Sequence, residues 1–255
     1  MSEGERAMAN RAAGGPDDPA AERSGIDRLA AACRVPAGIT LVVATGIYLT
    51  LVWQAPIDSV QGIVQKILYV HPPLAFGAYL GFIGTAVGGF LYLWKGDEQF
   101  DRFALSSAEV GVLLCTLMLI TGPIWAKATW GRWWSWDLRL TVTLILWFIY
   151  LAYLLLRSFS EGGSRAARFS SVYGIVGVLA IPLNYFAIEL AGGRTLHPEN
   201  LERGSLGEGM GWPFAMGALT TLIAYGYLLA GRLEVEDLRR RVAGRAAALE
   251  GAVGD

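Results

Sequence analysis

Two residue types in this chain could do chemistry together. There are only two histidines, His71 and His197, and nine tryptophans, five of them crowded between Trp125 and Trp136. An imidazole is the commonest axial ligand of a porphyrin iron, and two of them would complete a six-coordinate site. Tryptophan offers a large flat apolar surface with one N–H donor, and it favours the membrane–water boundary. The tryptophan stretch also carries Lys127, Arg132, Asp137 and Arg139. A surface of this kind suits something flat, apolar and anionic. Haem has that description, being an apolar macrocycle with two carboxylates and an iron in need of ligands.

The plainer readings are a solvated loop for each histidine and an aromatic membrane belt for the tryptophans. A belt accounts for one or two tryptophans better than for five. Trp130, Trp133, Trp134 and Asp137 fall at spacings that would share one face of a helix. The cations could hold carboxylates, since arginine forks a carboxylate well, or they could meet lipid head groups or Asp137. The set of residues expected to contact the ligand is therefore His71, His197, Trp125, Trp130, Trp133, Trp134, Trp136, Asp137, Lys127, Arg132 and Arg139, with the two histidines as iron ligands. Cys33 and Cys115 lie far apart and no C-x-x-C-H occurs, so haem would be held without a covalent link, as haem b.

These residues must be positioned by membrane helices. The chain is 54% apolar with a mean hydropathy of +0.42, and only 17% is charged. That excludes an ordinary soluble domain. Six apolar runs are each long enough to cross about 30 Å of hydrocarbon. They cover Pro36–Trp53, Pro73–Trp94, Phe103–Ile120, Leu138–Leu156, Val172–Leu190 and Met210–Ala230. Runs of this length mean helices, so the expected fold is an all-α integral membrane protein with six transmembrane helices. Residues 1–35 read as a polar tail, 36–232 as the membrane domain, and 233–255 as a cytoplasmic helix or tail. Of the 21 Lys and Arg residues, 15 fall in the two tails and the even-numbered loops. Both termini should then be cytoplasmic, which puts the tryptophans and both histidines on the outer side.

Between spans one and two, Ile57, Val60, Val64, Ile67 and His71 follow steps of three and four. This predicts an amphipathic helix lying flat at the interface, with Gln61, Gln65 and Lys66 nearer water. Glu109 falls inside span three, where a bare charge is costly. Pro182 and Asn184 in span five are expected to serve a kink and helix packing. The charged residues Glu189, Arg194, Glu199, Glu202, Arg203 and Glu208 line the last outer loop and could dock a soluble partner. No Walker motif, H-E-x-x-H, G-x-S-x-G or dinucleotide fingerprint occurs, so no enzyme activity is expected. The lipid bilayer is an expected partner, and nucleic acid is not.

The stretch Trp130-Gly131-Arg132-Trp133-Trp134-Ser135-Trp136-Asp137-Leu138-Arg139-Leu140-Thr141 resembles the tryptophan-rich "WWD" signature of haem-handling proteins in cytochrome c biogenesis. With six spans, a short chain and two outer histidines, the sequence is similar to the CcmC family, the heme exporter protein C branch, over about residues 36–232. That resemblance implies haem held at the outer face of the bacterial inner membrane by His71 and His197. It also implies delivery to the haem chaperone CcmE, in a complex with CcmD and the ABC transporter subunits CcmA and CcmB. Two other functions compete: a transporter that moves haem through its own bundle, which should show ionisable or broken-helix features at mid-membrane, and a subunit that only anchors the ABC complex.

Overall fold

The computed structural model describes residues 24–159, 164–198 and 206–254. Eight α-helices and one 3₁₀ helix make up the described chain: α1 (Gly25–Gln54), the 3₁₀ helix (Ile63–Tyr69), α2 (His71–Lys95), α3 (Glu98–Trp130), α4 (Leu138–Phe159), α5 (Ser164–Gly177), α6 (Ala180–Tyr185), α7 (Ala187–Leu190) and α8 (Gly211–Gly254). Six segments are long and apolar enough to cross a membrane, and the protein is all-α and multi-pass. Many of their large apolar side chains point outward, as helices bathed in lipid require.

The centre of the bundle is α2 packed on α3, with α5 on the other side of α2 and α1 lying along α8. Small residues set the α2–α3 distance. A Cβ on Gly81 would stand 2.5 Å from the Cα of Gly111, so only glycine allows this approach. Phe82 and Tyr150 stack at 3.9 Å between α2 and α4, and the Tyr150 hydroxyl donates to the carbonyl of Gly174 in α5 at 3.0 Å. Ser107 donates to the Gly81 carbonyl at 2.9 Å and bonds the Tyr225 hydroxyl of α8 at 2.7 Å. The buried hydroxyls of Ser107, Tyr150 and Tyr225 thus find partners across helices.

One end of the bundle is tied by ion pairs. Arg102 of α3 reaches the buried Asp27 of α1 at 2.8 Å, and Arg157 of α4 holds Asp101 of α3 through two bonds of 2.7 and 3.1 Å. Arg34 pairs with Glu234, joining α1 to α8. Glu109 is paired with Arg232 of α8, which also reaches Glu236 at 3.0 Å. The intramembrane carboxylate is therefore neutralised by a neighbouring helix.

Four sequence expectations change in physical detail. The boundary drawn at Pro36 falls inside α1, which begins at Gly25 because Ser24 and Asp27 cap it and Asp27 is anchored by Arg102. The boundary drawn at 232/233 likewise falls inside α8, a single helix through to Gly254. The fifth span is broken after Gly177 into α5, α6 and α7. The segment before His71 is not a flat amphipathic α-helix: Asp58 accepts the N–H groups of Val60 and Gln61 in a turn, Gly62 takes φ +62°, and a 3₁₀ helix follows. Within it Gln65 is buried, not nearer water, and Lys66 turns inward to cap α1 by donating to the carbonyls of Val52 and Trp53.

Candidate functional site

Opposite the ion-paired end, α2, α3, α4, α6 and the loop after α7 enclose a cavity of about 330 Å³. His71 reaches it as the first residue of α2. The preceding turn is fixed from two sides. The Tyr48 hydroxyl of α1 donates to the Tyr69 carbonyl at 3.1 Å, and Gly217 of α8 lies so close that a Cβ there would stand 2.5 Å from the same oxygen. Pro72 and Pro73 then start the helix with backbone that needs no N–H partner. The His71 ring lies edge-on to Trp125 at 6.1 Å, and its Nδ1 is 3.1 Å from Thr121 Oγ1.

His197 arrives from the other side. After α7 the chain reverses through Gly192 and Gly193 at φ +60° and +73°, a backbone that glycine adopts without penalty. Their N–H groups satisfy the last carbonyls of α7, from Glu189 at 2.9 Å and Ile188 at 3.1 Å. His197 N–H donates to Thr195 Oγ1 at 3.0 Å. Its ring Nδ1 lies 2.8 Å from the Pro198 carbonyl, and a carbonyl can only accept. Nδ1 therefore carries the proton, and Nε2 keeps its lone pair. Burial, and then the charge of Arg139, hold this imidazole below its ordinary value of 6.5, so it is neutral at pH 7. The two imidazoles line the same cavity.

The tryptophan segment is distributed differently from a single helical face. Trp130 closes α3, Gly131 takes φ +73°, and residues 131–137 are non-helical. Asp137 begins the next helix instead: it accepts the Leu140 N–H at 3.0 Å and the Ser135 hydroxyl at 2.9 Å. That cap places Arg139 at the cavity wall. Of the eleven residues singled out in the sequence, His71, His197, Trp125, Trp130, Trp134 and Arg139 come together around the cavity. Trp133 and Trp136 are 60% and 76% exposed on the outer surface. Lys127 donates to the carbonyl of Gly131 at 3.0 Å, finishing α3, and Arg132 is exposed. Glu199, Glu202 and Arg203 lie outside the described residues.

The cavity also has walls that the sequence did not point to. Tyr79 donates to the side-chain oxygen of Asn184, whose amide donates to Thr143 Oγ1 at 2.7 Å and to the Arg139 carbonyl at 3.1 Å. Asn184, expected to serve packing, does so at the cavity floor. Gln61 accepts from Trp125 Nε1 at 2.8 Å and closes one side. Tyr79 is a single polar side chain within an apolar run and carries no periodic signal, and Gln61 read only as a water-facing residue of the connector.

The donor set fits haem. Two imidazoles face a mostly apolar space, Trp134 has a buried indole N–H without a partner, and Arg139 supplies a cation. Among the described residues no group of three His, Cys, Asp or Glu is placed to hold a bare metal ion.

The heme exporter protein C (CcmC) family pattern matches residues 21–248. A heme exporter protein C from Haemophilus influenzae is 33% identical over 189 residues, covering 72% of this chain and 76% of that protein. One from Bradyrhizobium diazoefficiens is 32% identical over 212 residues, 81% of this chain and 78% of the relative. A ccmC-like mitochondrial protein of cytochrome c biosynthesis from Marchantia polymorpha is 38% identical over 145 residues, and the match spans 60% of its length. With spans, tryptophan signature and paired histidines in place, the chain belongs to the heme exporter protein C family, whose members handle haem in the membrane during cytochrome c biogenesis.

Proposed function

We propose that this protein binds one haem b, non-covalently and as cargo, at the periplasmic face of the bacterial inner membrane and delivers it to the haem chaperone CcmE. His71 and His197 are the axial ligands, Trp125, Trp130 and Trp134 pack on the macrocycle, and Arg139 with the free Trp134 N–H receives propionates. Trp133, Trp136 and Arg132 stand outside the cavity, where an incoming chaperone would meet them. Asp137 and Lys127 hold the helix ends that shape the site. The observation that carries this reading is the convergence of the chain's only two imidazoles on one apolar, tryptophan-lined cavity.

In this reading residues 36–232 cross the membrane, with residues 1–35 and 233–255 as cytoplasmic extensions, and both termini are cytoplasmic. CcmA, CcmB and CcmD complete the complex. Bis-imidazole ligation with aromatic burial makes a slow-leaving ligand, so release of the loaded chaperone needs free energy from the ATPase. Glu109, the carboxylate of span three that would favour a path through the bundle, is paired with Arg232 at the ion-paired end, which leaves the cavity at the other end as the better-supported site.

The test is haem titration of the purified protein, followed by reconstitution with chaperone and transporter. One haem per chain with a low-spin spectrum, and chaperone release only with hydrolysable ATP, are expected. No stoichiometric haem, or release by this protein alone at the same rate, refutes the reading.

A further inference from the structure

We propose that Thr121 is the positioning residue of the site: it fixes the His71 tautomer and so aims the Nε2 lone pair into the cavity, an inference that rests on the haem-holding reading above. Thr121 lies in α3, across from the first residue of α2. Its hydroxyl has one proton, directed at the carbonyls of Leu117 at 3.0 Å and Met118 at 3.1 Å in its own helix. With that proton engaged, Oγ1 meets His71 Nδ1 at 3.1 Å as an acceptor only. In this arrangement Nδ1 carries the proton, and the Met118 carbonyl beside His71 offers it a second acceptor. The opposite tautomer would place an N–H on the cavity side and require the hydroxyl to abandon its carbonyls.

The ring is held in place on two further sides. A Cβ on Gly122 would stand 2.9 Å from His71 Cε1, so glycine leaves the space that the imidazole fills. Trp125 meets the ring edge-on. Thr121, Gly122 and Trp125 occupy one turn of α3, which makes that turn the seat of the ligand. His197 is set by a different device, the neighbouring Pro198 carbonyl. Both imidazoles then leave Nε2 as the nitrogen that would hold an iron. A second-sphere acceptor of this kind orients the ring and raises its basicity, and its loss typically weakens metal binding by about 10–100-fold.

Because the chain has only two histidines, ¹⁵N-histidine labelling gives two imidazoles to observe in the full-length, haem-free protein. Both are expected in the Nδ1–H form. Thr121→Val should move His71 to a tautomer mixture while His197 is unchanged, and Thr121→Ser should retain the original state. In haem titrations Thr121→Val should lose about tenfold or more in affinity and alter the ferric low-spin electron paramagnetic resonance signature, with Ser restoring both. An Nε2–H form of His71 in the native protein, or an unchanged His71 spectrum in Thr121→Val, overturns the proposal. If Thr121→Val does not fold, the native tautomer and the Thr121→Ser titration decide it. Failure of the native protein to bind haem would refute the haem reading while the tautomer measurement still tested Thr121.

Discussion

Trp125 and Gln61 are joined by a hydrogen bond of 2.8 Å between the C-terminal end of α3 and the turn that precedes the 3₁₀ helix. The same indole meets His71 edge-on, so one tryptophan links the turn to a candidate iron ligand. Replacing Gln61 with Ala should destabilise the protein by only about 1 kcal/mol. It should nevertheless speed amide hydrogen exchange between residues 58 and 69, because the turn loses its tie to α3. Unchanged exchange there would mean that the bond holds nothing.

The axial assignment predicts distinct spectra for single variants. His71→Ala and His197→Ala should each convert a low-spin haem to a five-coordinate or water-ligated high-spin form, with small imidazole restoring the low-spin bands. Absorption spectra of the purified variants check this. An unchanged spectrum in both would remove the histidines from the iron.

The pH dependence follows from His197. Only the neutral imidazole binds iron, and burial holds this group below 6.5, so protons compete for it only in more acid solution. The low-spin spectrum should persist as pH falls through 6.5 and be lost below it. Loss of the spectrum with a midpoint at or above 6.5 would contradict the burial seen around His197.

The tryptophans should separate into two groups. Trp134 lines the cavity, and its truncation to Ala should weaken haem binding about 3- to 10-fold, the worth of one aromatic packing contact. Trp133 and Trp136 are exposed, so Trp133→Ala and Trp136→Ala should leave haem affinity intact and slow transfer to the chaperone. Affinity titrations beside a transfer assay distinguish the groups, and equal effects in all three variants would dissolve the distinction.

Arg232→Ala should strip Glu109 of its partner. A carboxylate left unpaired among the spans is expected to lower stability by about 1–3 kcal/mol. Adding Glu109→Gln should recover part of that loss, as read from thermal unfolding in detergent. A second substitution that deepened the loss would show that the pair is not the relevant contact.

Much of this architecture is written in the apolar runs, because lipid forces each crossing into a helix of predictable length. His71, His197 and the tryptophans were legible as a group since their types are rare and their positions lie between runs. Local backbone chemistry was harder to read. Trp130 to Asp137 has helical spacing, yet Gly131 in the left-handed region ends α3 and Asp137 caps α4, so the shared face dissolves. Asp27 and Arg34 look like tail residues, but the Ser24 cap starts the helix ahead of them, and Arg102 and Glu234, distant in sequence, tie it to the bundle. Thr121 is one hydroxyl in an apolar helix, and its meaning comes entirely from what faces it.

The unbroken course of α3 has one further consequence. Asp101, Arg102 and Glu109 near its start and Thr121, Gly122 and Trp125 near its end belong to one helix. Each residue of an α-helix adds about 1.5 Å and 100°. Inserting or deleting a single residue between Glu109 and Thr121 would swing the seat of His71 to another side of the bundle while the ion pairs stayed where they are. The helix therefore acts as a ruler whose length and phase are fixed at both ends, by the ion pairs and by the seat of His71.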